Sequence, residues 1–328
     1  MEKVKWAVLG TAGIAKGQTI PGMLQADNCD LYAIAGRSLE KAVAFQKEFG
    51  FRKAYGSYEE ALADAEVEAV YIPLPNELHY EWALKALQAK KHVLCEKPLA
   101  PTPDKAQEMI HCAQENGVFL MEAFAYLHSP YIAALKEVLD SGAIGDVVYM
   151  ESAFITSDYD ISNIRMRRET FGGATYDLGC YNTSLILWLL GREPERVQAA
   201  ADYSGTDVDM LTTAVLGFEG GAKAAFTAGM VLPTNKDERL DRLQICGTRG
   251  RILSSVEFNQ EGNLSFTVET GSGTEVKTVH ARQNYALEVE QLGRCIRENE
   301  TPYVSNDFTM MNSRTLERVL RAIGYGKA

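Results

Sequence analysis

Residues 4–15 read Val-Lys-Trp-Ala-Val-Leu-Gly-Thr-Ala-Gly-Ile-Ala, and this stretch decides the fold class. The apolar segment at residues 4–9 has the length of a buried strand, and a helix-like pattern follows it. Gly10 stands at the junction, while Ala12 and Ala15 take the second and third glycine positions of a G-x-G-x-x-G pattern. This order predicts the first βαβ unit of a dinucleotide-binding sheet, with the N-terminus of the helix directed at a pyrophosphate.

Strand-length apolar segments alternate with amphipathic segments over the first 120 residues. The apolar segments lie at residues 4–9, 31–35, 69–72, 92–95 and 118–121. Strands that alternate with helices are joined by right-handed crossovers and therefore run parallel. The pattern predicts an α/β fold that begins with a Rossmann domain, a doubly wound parallel sheet, at residues 1–122.

The pattern changes after about residue 122. Two helix-like segments, at residues 131–140 and 174–190, precede six strand-length segments separated by glycine-rich turns. Short strands with such turns are typical of an antiparallel meander. We predict a substrate-binding α+β domain with a largely antiparallel, open sheet at residues 123–328.

Two of these strand segments indicate an oligomer. Residues 211–218 and 222–230 carry apolar and small side chains on both faces. One face must pack on the helices of its own domain, which leaves the other face for a partner. We predict a homodimer or a dimer of dimers through this sheet.

The composition excludes several classes of protein. The chain has 328 residues with 33 basic and 44 acidic side chains, and its formal net charge is −11. Nucleic-acid-binding proteins need clustered lysine and arginine, so we expect no nucleic-acid partner. The longest apolar run, at residues 185–190, is far shorter than the roughly 20 residues that span a bilayer. Residues 1–5 do not open a signal peptide, so we expect a cytoplasmic protein without a membrane partner.

The cysteines and histidines give no sign of a metal site. The six cysteines form no Cys-x-x-Cys pair, and the five histidines have no metal-ligand spacing. In a reducing compartment such cysteines behave as small apolar residues. We expect neither disulfides nor a bound metal.

The end of the second predicted strand bears on the choice of nucleotide. NAD sites usually place a carboxylate here to bind the ribose 2′-hydroxyl, whereas a 2′-phosphate is bound by a guanidinium. This strand ends in Ala35-Gly36-Arg37-Ser38, with an arginine and no carboxylate. The sequence favours NADP, with NAD possible; the alternative is that Arg37 is a solvated surface residue.

Two further motifs carry polar groups in apolar surroundings. Glu96-Lys97-Pro98 follows the fourth long strand segment, at the sheet edge where ligands bind in such folds. Asp177 and Tyr181 are four residues apart at the start of a strongly apolar helix, so they share one helical face. Burying these polar groups is costly, which favours a functional reason for them.

These motifs resemble the Gfo/Idh/MocA family of glucose–fructose oxidoreductases and inositol dehydrogenases. Within it the chain is nearest to the branch of the dimeric dihydrodiol and NADP-linked xylose dehydrogenases. The resemblance rests on the Gly10 turn, Pro73-Leu74-Pro75-Asn76-Glu77-Leu78-His79, Glu96-Lys97-Pro98, Met121-Glu122-Ala123, Ser141-Gly142-Ala143-Ile144-Gly145 and residues 172–181.

The family resemblance implies an enzyme with a Rossmann domain and a second domain whose open sheet often forms the dimer contact. It implies that Lys97, Asp177 and Tyr181 form the catalytic group. Cofactor contacts are expected from Gly10, Thr11, Ala12, Gly13, Ile14, Arg37, Ser38, Leu74, Pro75, Asn76, His79, Glu96 and Lys97. Substrate contacts are expected from Lys97, Arg165, Asp177, Tyr181 and His128.

One segment departs from the family pattern. Family members commonly carry an arginine shortly after Met-Glu-Ala, but this chain has Leu127 there, followed by His128. Because that segment often borders the substrate in the family, the identity of the substrate cannot be transferred.

Three classes of function are compatible with the sequence. The first is an NAD(P)-dependent dehydrogenase or reductase acting on a sugar, polyol or cyclic diol. The second is an enzyme of the same fold that retains its nucleotide, as the NAD-dependent glycosidases do. The third is a non-catalytic sugar-sensing relative, which Lys97, Asp177 and Tyr181 argue against.

The catalytic group can be given roles from its chemistry. Free lysine and tyrosine both titrate near pH 10, so a proton acceptor at neutral pH needs help from a neighbouring charge. We expect Tyr181 to be the acid/base, Lys97 to donate to the substrate oxygen and Asp177 to orient a partner. The roles of Lys97 and Tyr181 could be exchanged.

Overall fold

The computed structural model describes residues 2–157, 159–232, 239–254 and 258–326. The chain divides into two units. The nucleotide unit, as we name it, contains Met1–His128 and Arg282–Met310, and the sheet unit contains Ser129–Ala281 and Met311–Ala328.

Six parallel strands form the sheet of the nucleotide unit, in the order β3-β2-β1-β4-β5-β6. This is the strand order of a dinucleotide-binding Rossmann fold. The strands are β1 (Val4–Leu9), β2 (Cys29–Ala35), β3 (Lys53–Tyr55), β4 (Ala69–Ile72), β5 (His92–Glu96) and β6 (Leu120–Ala123). The connecting helices are α1 (Ile20–Gln25), α2 (Leu39–Phe49), α3 (Tyr58–Ala63), α4 (Asn76–Gln88) and α5 (Pro103–Asn116).

The core of this unit lies on both faces of the central strands. All of β4 is buried, as is β1 apart from a partly exposed Lys5. A parallel sheet with helices on both faces needs continuous apolar strands, which explains why these segments do not alternate in polarity. Side-chain caps define the start of two of its helices, since Ser57 accepts from the Glu60 amide and Thr102 from the Lys105 amide.

A late segment of the chain belongs to the nucleotide unit. Helix α8 (Asn284–Glu298) packs against α1, and α9 (Asn306–Ala322) begins there. Asn28 donates to the Glu290 carbonyl at 2.8 Å, and Arg297 pairs with Glu68 at 2.7 Å. The predicted boundary at residue 122 assigns this late segment to the second domain instead. That predicted division of the chain stays a prediction.

Eight strands form the sheet of the other unit, in the order β14-β13-β12-β11-β7-β10-β9-β8. Every neighbouring pair is antiparallel except β7 and β10. The strands are β7 (Val147–Ser157), β8 (Arg196–Asp202), β9 (Leu211–Gly217), β10 (Lys223–Leu232), β11 (Arg239–Gly247), β12 (Gly250–Ser254), β13 (Gly262–Thr270) and β14 (Gly273–Ala281).

Helices α6 (Pro130–Asp140) and α7 (Cys180–Leu190) pack on this sheet. The predicted α/β class, with a parallel sheet followed by a largely antiparallel one, is confirmed. Val256, which the sequence places at the end of a strand, lies outside the described residues. No helix among the described residues is long and apolar enough to span a bilayer.

Candidate functional site

The turn after β1 is built around a glycine that cannot be replaced without strain. Gly10 has φ +134°, and its amide donates to the Ala35 carbonyl at 2.9 Å. A Cβ on Gly10 would lie 3.0 Å from Leu74 Cδ2, so the missing side chain lets the loops after β1 and β4 approach each other. A Cβ on Gly36 would meet Thr11 Cγ2 at 3.5 Å. Three loops at the carboxyl edge of the sheet thus lie together.

This edge fits a dinucleotide. Gly13 is exposed, and apart from its chain neighbours and its own helix backbone, no heavy atom of the described residues lies within 4 Å of the position its Cβ would take. A single π-helical turn, Ala15–Thr19, follows and runs into α1. A tight glycine turn, an open surface and a helix start are what a pyrophosphate needs, because backbone N–H groups can then point at it.

Arg37 is exposed at the carboxyl end of β2, and its positive charge acts on the Tyr58 hydroxyl. Burial raises the pKa of Tyr58, and the charge of Arg37 opposes that rise. Ser38 accepts from the Lys41 amide and caps α2, so its side chain serves the helix in this structure. Arg37 therefore lies exposed next to the ligand-binding edge of the sheet.

His79 connects the loops after β4 and β5. Its ring is fully buried, with Nδ1 3.0 Å from the Pro98 carbonyl and Nε2 2.7 Å from the Leu74 carbonyl. Burial lowers the pKa of His79, so the ring is neutral and donates to one of the two carbonyls. His79 thereby holds Pro98, the residue after Lys97.

Lys97 follows β5 and is partly exposed, whereas its neighbour Glu96 is buried. Glu96 Oε1 accepts from the Tyr71 hydroxyl at 2.5 Å, and that hydroxyl contacts Thr19 Oγ1 at 2.8 Å. This chain of hydrogen bonds fixes the end of β5. The lysine is therefore presented by a rigid strand end.

In the sheet unit, two glycines allow a loop to pack on the start of the helix that carries Asp177 and Tyr181. A Cβ on Gly172 would lie 2.3 Å from the Arg165 carbonyl oxygen. Gly173 has φ +104°, and a Cβ there would lie 2.3 Å from Asp209 Oδ1. Both positions therefore require glycine, because a side chain at either one would collide with the neighbouring loop.

Asp209 holds the start of this helix. It is fully buried, and its Oδ2 accepts from the Thr175 amide at 2.8 Å, the Thr175 hydroxyl at 2.6 Å and the Thr212 hydroxyl at 2.7 Å. Burial raises the pKa of Asp209, while these donors oppose the rise. The π-helical turn Thr175–Gly179, which contains Asp177, begins at this anchor and continues into α7.

Asp177 and Arg165 form an ion pair beside Tyr181. Arg165 Nε donates to Asp177 Oδ2 at 2.7 Å, and the Arg165 charge also acts on Tyr181. A cation next to a phenol favours the phenolate, so the group can lower the energy of a deprotonated Tyr181. The guanidinium also lies over the Tyr159 ring, 5.1 Å from its centroid.

Tyr181 is held by aromatic rings. Its ring meets Phe154 edge-on at 5.5 Å and Phe258 at 5.3 Å, and these two phenylalanines stack at 5.0 Å. The Arg239 guanidinium lies over the Phe154 ring at 4.4 Å and pairs with Asp241 at 2.6 Å. The Tyr181 ring is thus held in place by its packing against Phe154 and Phe258.

His128 lies in the nucleotide unit. Its ring packs against Tyr303 with 5.4 Å between centroids, and burial lowers its pKa to about 3. His128 is therefore neutral at working pH. Its predicted contact with substrate stays a prediction.

The predicted site residues form two groups. The loops after β1, β2, β4 and β5 bring together the residues predicted to bind the cofactor, along with Lys97. Arg165, Asp177 and Tyr181 come together in the sheet unit. Sequence reasoning missed Asp209, Phe154, Phe258, Arg239 and Tyr159, because no motif or spacing ties them to Tyr181. Within the described ranges, no three or more His, Cys, Asp or Glu side chains are placed to hold a metal ion.

Comparison with known proteins decides the family. Residues 4–124 match the oxidoreductase family with an NAD-binding Rossmann fold (Gfo/Idh/MocA), and residues 132–253 match the C-terminal domain of that family. The chain belongs to this family. The predicted resemblance is therefore confirmed, as is the prediction of an NAD(P)-dependent oxidoreductase.

Named relatives cover nearly the whole chain. A D-xylose 1-dehydrogenase (NADP⁺) from Haloferax volcanii is 34% identical over 98% of this chain and 98% of its own length. A trans-1,2-dihydrobenzene-1,2-diol dehydrogenase from Xenopus laevis is 29% identical over 98% of both chains. Among solved structures, a 3-ketoreductase from Actinomadura kijaniata, in complex with NADP and TDP-benzene, is similar with a TM-score of 0.91. It is 27% identical and covers 98% of both chains.

Proposed function

We propose that this protein is an NADP-linked dehydrogenase or reductase that interconverts a secondary alcohol and a carbonyl on a sugar, polyol or cyclic diol. The observation that carries the proposal is the Arg165–Asp177 ion pair beside Tyr181, because it gives a phenol the environment of an acid/base. The xylose and dihydrodiol dehydrogenases among the relatives support the substrate class.

The mechanism follows from these side chains. A bound nicotinamide would supply the hydride acceptor or donor. In the oxidation, Tyr181 takes the hydroxyl proton of the substrate, and the neighbouring Arg165 charge favours the phenolate. Asp177 fixes that guanidinium through its Nε.

Lys97 completes the catalytic group. In our proposal its ammonium donates to the reacting substrate oxygen from the carboxyl end of β5, and Tyr181 returns the proton in the reduction. Exchanged roles, with Lys97 as the acid/base, remain the alternative. The location of Arg165 beside Tyr181 favours Tyr181.

The same proposal assigns the nucleotide site. Gly10, Thr11, Ala12, Gly13 and Ile14 would hold the pyrophosphate, and Leu74, Pro75 and Asn76 would form the opposite wall. Arg37, exposed at the end of β2, would pair with the 2′-phosphate. NADP is therefore the proposed cofactor.

We also propose a cytoplasmic homodimer, or a dimer of dimers, formed through the sheet unit. Val215 on β9 is 41% exposed, and its antiparallel partner on β10 is Ala225. Next to this pair, the hydroxyls of Thr213 and Thr227 meet at 3.2 Å on the same exposed face. Small and apolar side chains on a flat sheet face suit an interface with a second copy.

The test is nucleotide release with a panel of substrates. Purified protein is incubated with NADP⁺ and a set of aldoses, polyols and cyclic diols, and NADPH is followed by its absorbance. Growth of NADPH in excess over enzyme supports a dehydrogenase. A product formed with no net NADPH would instead indicate an enzyme that retains its nucleotide, and neither signal with any substrate would contradict both.

A further inference from the structure

Three buried carboxyl groups of the nucleotide unit, those of Glu96, Glu122 and Glu288, act on one another. The exposed fraction is 8% for Glu96, 3% for Glu122 and 0% for Glu288. Burial disfavours the charged form of a carboxyl group, and three neighbouring carboxylates would also repel one another. Such a group needs a compensating cation or must stay partly protonated.

Glu122 is joined to the segment that carries Lys97. It lies on β6, where it pairs with Cys95 of β5. Its Oε1 accepts from the Leu99 amide at 2.9 Å, and the Thr309 hydroxyl favours the ionised form of the same carboxyl group. Leu99 is two residues after Lys97, so Glu122 anchors the turn that presents the lysine.

The charges around Glu122 come from several elements. Lys97, after β5, favours its ionised form, and Glu96, at the end of β5, opposes it. Glu288 on α8 interacts with Glu96, and burial raises the pKa of Glu288 well above its ordinary value, which favours its neutral form. Burial lowers the pKa of His79 on α4, and the Lys97 charge lowers it further.

These opposing effects place the pKa of Glu122 near neutral pH. Burial raises its pKa to about 7, against the Leu99 amide, the Thr309 hydroxyl and the Lys97 charge, which lower it. Above that pH its negative charge is buried beside Lys97, in surroundings that screen charges less than water does.

We propose that Glu122 is a positioning residue for Lys97: its carboxylate anchors the Lys97–Leu99 turn and keeps Lys97 in the ammonium form. The inference rests on the proposed role of Lys97 as a donor to the substrate oxygen. It adds a reason why Lys97, which is partly exposed, would keep its proton if a positively charged nicotinamide were bound nearby.

The test measures the titration of Lys97 directly. Holoenzyme and the Glu122→Gln variant are labelled with trace acetic anhydride from about pH 6 to about pH 11, and acetylation of Lys97 is measured by peptide mass spectrometry. Glutamine retains an oxygen for the Leu99 amide but carries no charge. We expect the pKa of Lys97 to fall by about one unit or more, which raises its labelling about tenfold at pH 8.

Glu288→Gln is the matched control, because it replaces a buried carboxyl group whose neutral form is favoured by burial. We expect it to leave the Lys97 titration unchanged. Equal titration of Lys97 in wild type and Glu122→Gln would overturn the inference, as would a shift of the same size in Glu288→Gln.

A second variant protects the test against misfolding. Thr309→Val removes a hydroxyl that lowers the pKa of Glu122. Less of the Glu122 carboxyl group is then ionised near pH 7, so the labelling of Lys97 should rise there, by less than in Glu122→Gln. An unchanged reactivity in a folded Thr309→Val protein would count against the inference. Labelling uses no substrate, so this result is separate from the turnover assay that tests the proposed function.

Discussion

Arg165 and Asp177 form an ion pair at 2.7 Å between a loop residue and a helix residue twelve positions later in the chain. In this pair, the Arg165 guanidinium is the positive charge that acts on Tyr181. In the proposed mechanism this charge makes a phenol useful as an acid/base, and the first prediction follows from it.

Replacing Arg165 by methionine should shift the pH dependence of alcohol oxidation. The lost cation raises the pKa of Tyr181, so the rising limb of the kcat profile moves to higher pH by about one unit. Turnover at pH 7 should fall by about 10–100-fold. Arg165→Lys keeps the charge and should retain most of the wild-type profile; an unshifted profile in Arg165→Met would contradict the assigned role.

Replacing Asp209 by alanine should weaken both the fold and turnover. The change leaves the Thr175 amide and the Thr175 and Thr212 hydroxyls without their common acceptor. We expect the free energy of unfolding in urea to fall by about 2–3 kcal/mol, with kcat reduced and the Kd for NADP unchanged. The exposed neighbour Asp207 provides the control, since Asp207→Asn should alter neither quantity.

Replacing Arg37 by alanine should remove most of the preference for NADP over NAD. A charge-assisted pair with phosphate is worth roughly 1.5–3 kcal/mol, so the Kd for NADP should rise by about 10–100-fold while that for NAD stays the same. Calorimetry with both nucleotides measures this. Arg52→Ala removes an equal charge from an exposed pair with Asp30 and should leave both affinities intact; equal affinities in the wild type would refute the prediction.

Placing a carboxylate on the exposed face of β9 should break the proposed dimer. Val215→Asp buries an unpaired charge if a second copy covers that face, so light scattering should show monomers at micromolar concentration. Val276→Asp on β14, 64% exposed in the same sheet, is the matched control and should stay dimeric. If light scattering showed the wild-type protein to be monomeric at micromolar concentration, the dimer proposal would be wrong.

Local sequence patterns were sufficient to predict most of the nucleotide unit. The bounds of β1 and β4 agree with the predicted apolar segments residue by residue, and amphipathic helices lie between the strands as predicted. Parallel strands buried on both faces are continuous apolar runs, so their pattern carries the fold. Strands β3 and β14 escaped prediction, because β3 has only three residues and most of β14 is exposed and polar.

The candidate site was less predictable than the fold. Motifs indicated Lys97, Asp177 and Tyr181. The hydrogen bonds that hold the segments carrying these residues, however, join distant parts of the chain. Asp209 is 34 residues from Thr175, and Leu99 is 23 residues from Glu122. Such contacts leave no periodic pattern, so only the folded chain reveals them.

The most direct test of the account is turnover in Tyr181→Phe and Lys97→Met on a substrate identified by the panel. We predict that each variant lowers kcat by about 10²–10⁴-fold, while the Kd for NADP changes by less than about threefold. Phe154 and Phe258 can hold a phenylalanine ring as they hold Tyr181, so Tyr181→Phe tests the hydroxyl alone. Near-normal turnover from about pH 6 to about pH 9 in either variant would contradict the proposed catalytic group.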